Sequence, residues 1–145
     1  MFSVFCRESL IPQVERFKMA NSTTLLEQSI ERKLTCILRN TILENTCLIW
    51  QGKSRAGQYG RVCFQYPGQG PGSVQMSVSR AVFILHHRRP DLVGGGEGDV
   101  SHRCQRPLCI NLKHLTLESR SANTQRRTCK RDGSCYGCQP PCIFD

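Results

Sequence analysis

Residues 101–142, SHRCQRPLCINLKHLTLESRSANTQRRTCKRDGSCYGCQPPC, hold six of the chain's ten cysteines and two of its four histidines. Thiols crowded this closely are either cross-linked or bound to metal, and either choice dictates local structure before a hydrophobic core is considered. A core alone would be modest, because the chain has 145 residues of which 39% are hydrophobic. One domain of this size and composition needs a staple. The opening residues, MFSVFCRESLIPQVERFK, lack a charged leader followed by a sustained apolar run, so a secreted, disulfide-bonded protein is not expected. Metal ligation is the favoured use of the cysteines. No apolar run is long enough to cross a bilayer, so no membrane partner is expected. The formal charge of +9 favours a polyanionic partner such as nucleic acid over a merely basic surface.

Taken in order, residues 1–20 are mixed, with Cys6 the one unusual residue. Residues 23–40 place Leu25, Leu26, Ile30, Leu34, Ile37 and Leu38 at helical spacing, with Thr23 or Thr24 as the N-cap. Cys36 lies near that stripe and reads as a buried structural thiol rather than a ligand. After Asn45 the period shifts towards two. Residues 47–52, 58–66 and 73–87 read as strands of one small antiparallel sheet, separated by the turns KSRAG (53–57) and PGQGPG (67–72). The third run is expected to become a helix near Ser79. VGGGEGD (93–99) is a loop leading into a strand that holds His102. The division expected is an N-terminal segment, 1–44, with an amphipathic helix, followed by a main domain, 45–145.

Cys104, Cys109 and His114 at C-x4-C-x4-H spacing describe a knuckle around one tetrahedral zinc, with Asn111 capping the short turn that aims His114. The fourth ligand is open at this level. His102 would close the site and leave no free base, whereas an upstream thiol, Cys47 or Cys63, would leave His102 available for chemistry. Cys129, Cys135, Cys138 and Cys142 form a C-x5-C-x2-C-x3-C set, which reads as a second, all-cysteine structural zinc site. Between the two sites, residues 115–127 read as a short helix starting at Ser119 or Ser121. Asn123, taken without context, is a solvated residue of that helix.

The run SHRCQRPLCINLKHLTLESRSANTQRRTC resembles the His–Cys box, the zinc-binding loop region of homing endonucleases within the HNH or ββα-metal (His–Me finger) superfamily. In that family a catalytic His is followed two residues on by Cys, then at five, five, nine and six residues by Cys, His, Asn and Cys. His102, Cys104, Cys109, His114, Asn123 and Cys129 stand at those intervals. CLIWQG, YGRV and SRAV resemble the family's sheet more loosely, and Cys47 matches the distant thiol that completes the first zinc site.

The resemblance implies an α+β, zinc-stapled domain with a ββα-metal motif. It implies two structural Zn2+ ions, one catalytic Mg2+ held by Asn123, and His102 as general base in phosphodiester hydrolysis of double-stranded DNA. A cation for the transition state is expected from Arg80, with Arg61 as the second choice. The sheet would meet a DNA groove through Lys53, Arg55, Arg61 and Gln75, while Arg103, Arg106, Arg120, Arg126, Arg127, Lys130 and Arg131 would track phosphates. Cys138 departs from the family pattern, standing where a His is expected; either group serves zinc. Dimeric members continue further past the last thiol, whereas this chain ends three residues after Cys142, so a homodimer is an open expectation. The location expected is nuclear or cytoplasmic. The competing reading is a non-catalytic, zinc-dependent nucleic-acid-binding protein derived from such an enzyme.

Overall fold

The computed structural model describes residues 24–54 and 58–144. Arg55, Cys6 and the alternative cap Thr23 lie outside the described residues. Helix α1 (Leu25–Leu38) starts at Thr24, whose side chain accepts a hydrogen bond from the amide of Glu27. Its apolar stripe buries Ile30 and Leu34. Cys36 is exposed, contrary to expectation. At 3.6 residues per turn it projects about 200° away from Leu34, on the opposite side of the helix.

Three antiparallel hairpins follow, rather than one continuous sheet. The first pairs β1 (Thr41–Glu44) with β2 (Cys47–Trp50), the second β3 (Arg61–Phe64) with β4 (Val74–Ser77), and the third β5 (Asp99–His102) with β6 (Leu115–Glu118). Between the last two hairpins runs α2 (Val78–His87), capped by the Ser77 hydroxyl, which accepts from the amide of Arg80. Every residue from Val78 to Leu85 except Arg80 is buried, so α2 is a central helix covered on all sides. Around it pack Ile30 and Leu34 of α1, Trp50 of β2, Phe64 and Met76 of the second hairpin, and Ile110 and Leu115 of the third. Each such side chain contributes about 1.5–3 kcal/mol on burial. Trp50 lies flat across Gly52 and Gly60, where an added Cβ would come within 2.1 and 2.4 Å of its ring atoms. Those two glycines are required by close approach.

Helix α3 (Arg120–Asp132) completes the fold. Ser119 caps its start, and Gly133, at φ 66°, ends it in the left-handed conformation that glycine adopts without strain. The α+β architecture thus contains a ββα unit, made by β5, β6 and α3, with the cysteine-rich loop inserted between its two strands. The helix expected to start at Ser119 or Ser121 is α3, capped by Ser119, while the residues just before it, given no element from the sequence, form β6. No helix among the described residues is long and apolar enough to cross a membrane.

Candidate metal centres and the His102–Asn123 region

The loop between β5 and β6 does not hang free. Backbone hydrogen bonds from Trp50 N to Leu108 O (2.9 Å) and from Ile110 N to Leu48 O (2.8 Å) lay it along β2, reinforced by a bridge between Ile49 and Cys109. This pairing is what brings Cys47, the first residue of β2, to Cys104, Cys109 and His114. A short 3-10 turn, Leu112–His114, aims the last of these, and the Asn111 side chain caps it by accepting from the amide of Lys113.

All four ligand atoms lie within 4.8 Å of one another and all four residues are buried. Cys47 Sγ and Cys109 Sγ stand 3.4 and 3.6 Å from His114 Nδ1. Tetrahedral zinc, with bonds of about 2.3 Å to sulfur and about 2.05 Å to nitrogen, separates sulfur from nitrogen by about 3.6 Å. The spacing therefore fits zinc. Cys63, the other upstream thiol considered, is exposed on β3 beside Ser73.

Cys129, Cys135, Cys138 and Cys142 form a second cluster of the same compactness. The sulfurs of Cys129 and Cys138 are 3.6 Å apart, close to the about 3.8 Å of a zinc tetrathiolate and far beyond the about 2.05 Å of a disulfide. In both clusters the thiols compete to ionise. A hydrogen bond from Cys109 holds Cys104 down at about 5 while Cys109 itself is pushed up. A backbone hydrogen bond from Cys142 lowers Cys135 to about 6, and burial raises Cys138 to about 12. A dication relieves that competition by stabilising every thiolate at once.

His102, at the end of β5, belongs to neither cluster. Its ring is 7% exposed, lies stacked against Tyr59 at 5.6 Å between centroids, and places Nε2 2.9 Å from the carbonyl oxygen of Cys109. A carbonyl only accepts, so Nε2 carries the proton of the neutral ring and Nδ1 keeps the lone pair. Burial pushes the imidazole below its ordinary range, favouring that neutral form.

Asn123 sits in the first turns of α3 and donates from Nδ2 to the Asp99 carboxylate at 3.1 Å. The carboxylate fixes the amide's orientation and leaves Oδ1, a hard oxygen donor, without a hydrogen bond of its own among those described. Sequence reasoning gave neither Asp99 nor Tyr59 a role in this region. The signal for Asp99 was its acidity close to His102 in sequence; Tyr59 gave none.

Several expected phosphate contacts are committed elsewhere. Arg126 is 2% exposed and clasps Glu118 with Nε and Nη2 at 2.7 and 2.8 Å, so it is a core residue and not a surface one. The Arg80 guanidinium donates to the carbonyls of Leu92 and Gly98, which makes it the tie that holds the loop ahead of β5. Arg106 is paired with Glu44, and Arg103 donates to the carbonyls of Pro141 and Lys113. Arg61 and Gln75 remain exposed on the second hairpin, as do Lys53 beyond β2 and Arg120, Arg127, Lys130 and Arg131 on α3.

A family model described as the zinc-binding loop region of homing endonuclease matches residues 65–143, more than half of the chain. No curated protein and no solved structure matches.

Proposed function

The chain belongs to the homing-endonuclease family defined by that zinc-binding loop, and from this premise we propose that it is a metal-dependent DNA endonuclease in which His102 is the general base. The observation that carries the reading is the ring of His102. It stands beside the first metal cluster, donates through Nε2 to the Cys109 carbonyl, and retains Nδ1 to take a proton from water. The carbonyl would then steady the imidazolium that forms, while Tyr59 limits rotation of the ring.

Asn123 Oδ1 would hold one Mg2+, with the Asp99 carboxylate keeping the amide turned the right way. An ion held there would supply charge neutralisation to the phosphate being cleaved. A single amide suits a cation that keeps most of its ligands as water and phosphate. The zinc sites are closed by four protein ligands each, so their role is structural.

The DNA backbone would run over Arg61, Gln75 and Lys53 and along the outer stripe of α3, where Arg120, Arg127 and Arg131 fall on one face. Arg61, exposed on β3, is the better placed of the two arginines considered for the transition state, because Arg80 is engaged with backbone carbonyls.

The test is plasmid nicking with Mg2+ or EDTA. Wild-type protein is expected to nick only with Mg2+, and His102→Ala to lose about 10²–10⁴-fold in rate while binding the same DNA. Undiminished nicking by His102→Ala would remove this base from the mechanism. Retention of DNA without any cleavage by wild type would make the protein a zinc-dependent binder instead.

A further inference from the structure

Asn123, Arg126 and Cys129 follow one another at three-residue intervals on α3, and so line its inner face. Each is tied to a different part of the molecule. Asn123 reaches Asp99 on β5, Arg126 reaches Glu118 on β6, and Cys129 belongs to the second metal cluster.

The middle residue also touches the tail directly and β5 through Glu118. Beyond its fork on Glu118, Arg126 donates from Nη2 to the carbonyl of Pro140 at 2.9 Å and from Nη1 to Cys142 Sγ at 3.5 Å. The same Glu118 carboxylate accepts from the hydroxyl of Ser101, the residue immediately before His102. A bidentate ion pair with Glu118 would already balance the guanidinium, so the contacts to Pro140 and Cys142 add a connection rather than a missing charge.

We propose that Arg126 is a positioning residue that couples the second zinc cluster to His102 and Asn123, an inference that rests on the nuclease reading above. Four thiolates around one dication leave a net negative charge, and a buried cation donating to one of those sulfurs is held there by it. If that cluster disperses, Arg126 loses its acceptors on the tail while still buried. Still paired with Glu118 but short of two acceptors, the buried guanidinium must re-seat on that carboxylate, and the motion is passed through Ser101 to His102 and along α3 to Asn123. Gln105 supplies a second strap. Its Nε2 donates to Cys142 Sγ at 3.4 Å, and the neighbouring backbone is tied to the tail from Ile143 N to Arg103 O at 2.8 Å.

Cys142→His in the zinc-loaded full chain is the discriminating variant, because imidazole can replace the fourth ligand but gives Arg126 no thiolate to donate to. Two zinc ions per chain should remain. The nitrogen NMR signals of the His102 ring and the Asn123 side-chain amide should shift, and kcat for plasmid nicking should fall about 10–100-fold with KM unchanged. Unmoved signals with both zincs in place would overturn the coupling.

Should Cys142→His lose its second zinc, Arg126→Lys decides, since it keeps the charge but not the fork. The thiolate charge-transfer band of the cobalt-substituted protein should then shift together with the His102 and Asn123 signals. A shifted band with unmoved His102 and Asn123 signals would again overturn the proposal. Absence of nicking by wild type would sink the nuclease reading separately, because the NMR readout does not depend on cleavage.

Discussion

The two metal clusters use the same chemistry for opposite structural tasks. The first joins Cys47 to His114, 67 residues apart, at the meeting of β2, the inserted loop and β6, and all of its ligands are buried. The second gathers ligands from the end of α3 and the turn after it, and Cys135 and Cys142 are only half-buried. One cluster closes a long loop and so determines which hairpins can meet. The other organises a tail without regular secondary structure, which is otherwise fastened by Arg103, Gln105 and Arg126 and by Ile143 packed against the first cluster. The lesson is that similar ligand sets differ in what their loss removes, topology in one case and a local brace in the other.

That contrast breaks most visibly under ligand mutation. Cys47→Ser should leave the chain largely unfolded, because structural zinc contributes apparent free energies of about 10–16 kcal/mol. Circular dichroism and metal analysis would read this as lost ellipticity and less than two zinc ions per chain. Cys135→Ser should lose one zinc yet keep a cooperative thermal transition. Equal collapse of both variants would erase the distinction.

Next in size is the buried pair beneath the second cluster. Glu118→Gln leaves the Arg126 cation unmatched and should cost about 3–5 kcal/mol in urea unfolding. Removing the cap of α3 by Ser119→Ala should cost about 1 kcal/mol, sharpening how much the helix depends on its own ends rather than on zinc.

The smallest effect lies away from both clusters. The hydrogen bond from Arg88 holds the Glu27 carboxyl below its ordinary 4.5. Its stabilisation is therefore present above the unfolded-state value and lost as pH falls through the lower folded value. Both side chains are about a third exposed (36% and 35%), so solvent screens the gain. Glu27→Gln should flatten the acid side of the stability curve slightly and leave neutral pH almost unchanged.

Much of this was legible in the chain. The cysteine and histidine spacing anticipated the second cluster and three ligands of the first, Cys47 coming only from the family resemblance, and the caps at Thr24 and Asn111 were readable because capping depends on residues only a few positions apart. Features decided across long distances were not. LTLE is a four-residue strand directly followed by a helical run, so only pairing with β5 reveals β6. β1 went unread for the same reason, since Thr41–Glu44 is defined by its register with β2. One reason for separate hairpins in place of one sheet is that the inserted loop takes the free edge of β2. Arg126 was read as a surface charge because its partners, Glu118 and the tail carbonyl of Pro140, come from other elements, and the burial of a charge follows its partners.

The central claim is that two histidines twelve residues apart, His102 and His114, have separate duties, one beside a metal and one bound to it. Zinc stoichiometry of two alanine variants tests it directly. His102→Ala should purify folded with two zinc ions per chain, and His114→Ala should lose the first. A His102→Ala protein carrying only one zinc would place that ring among the ligands and contradict the account.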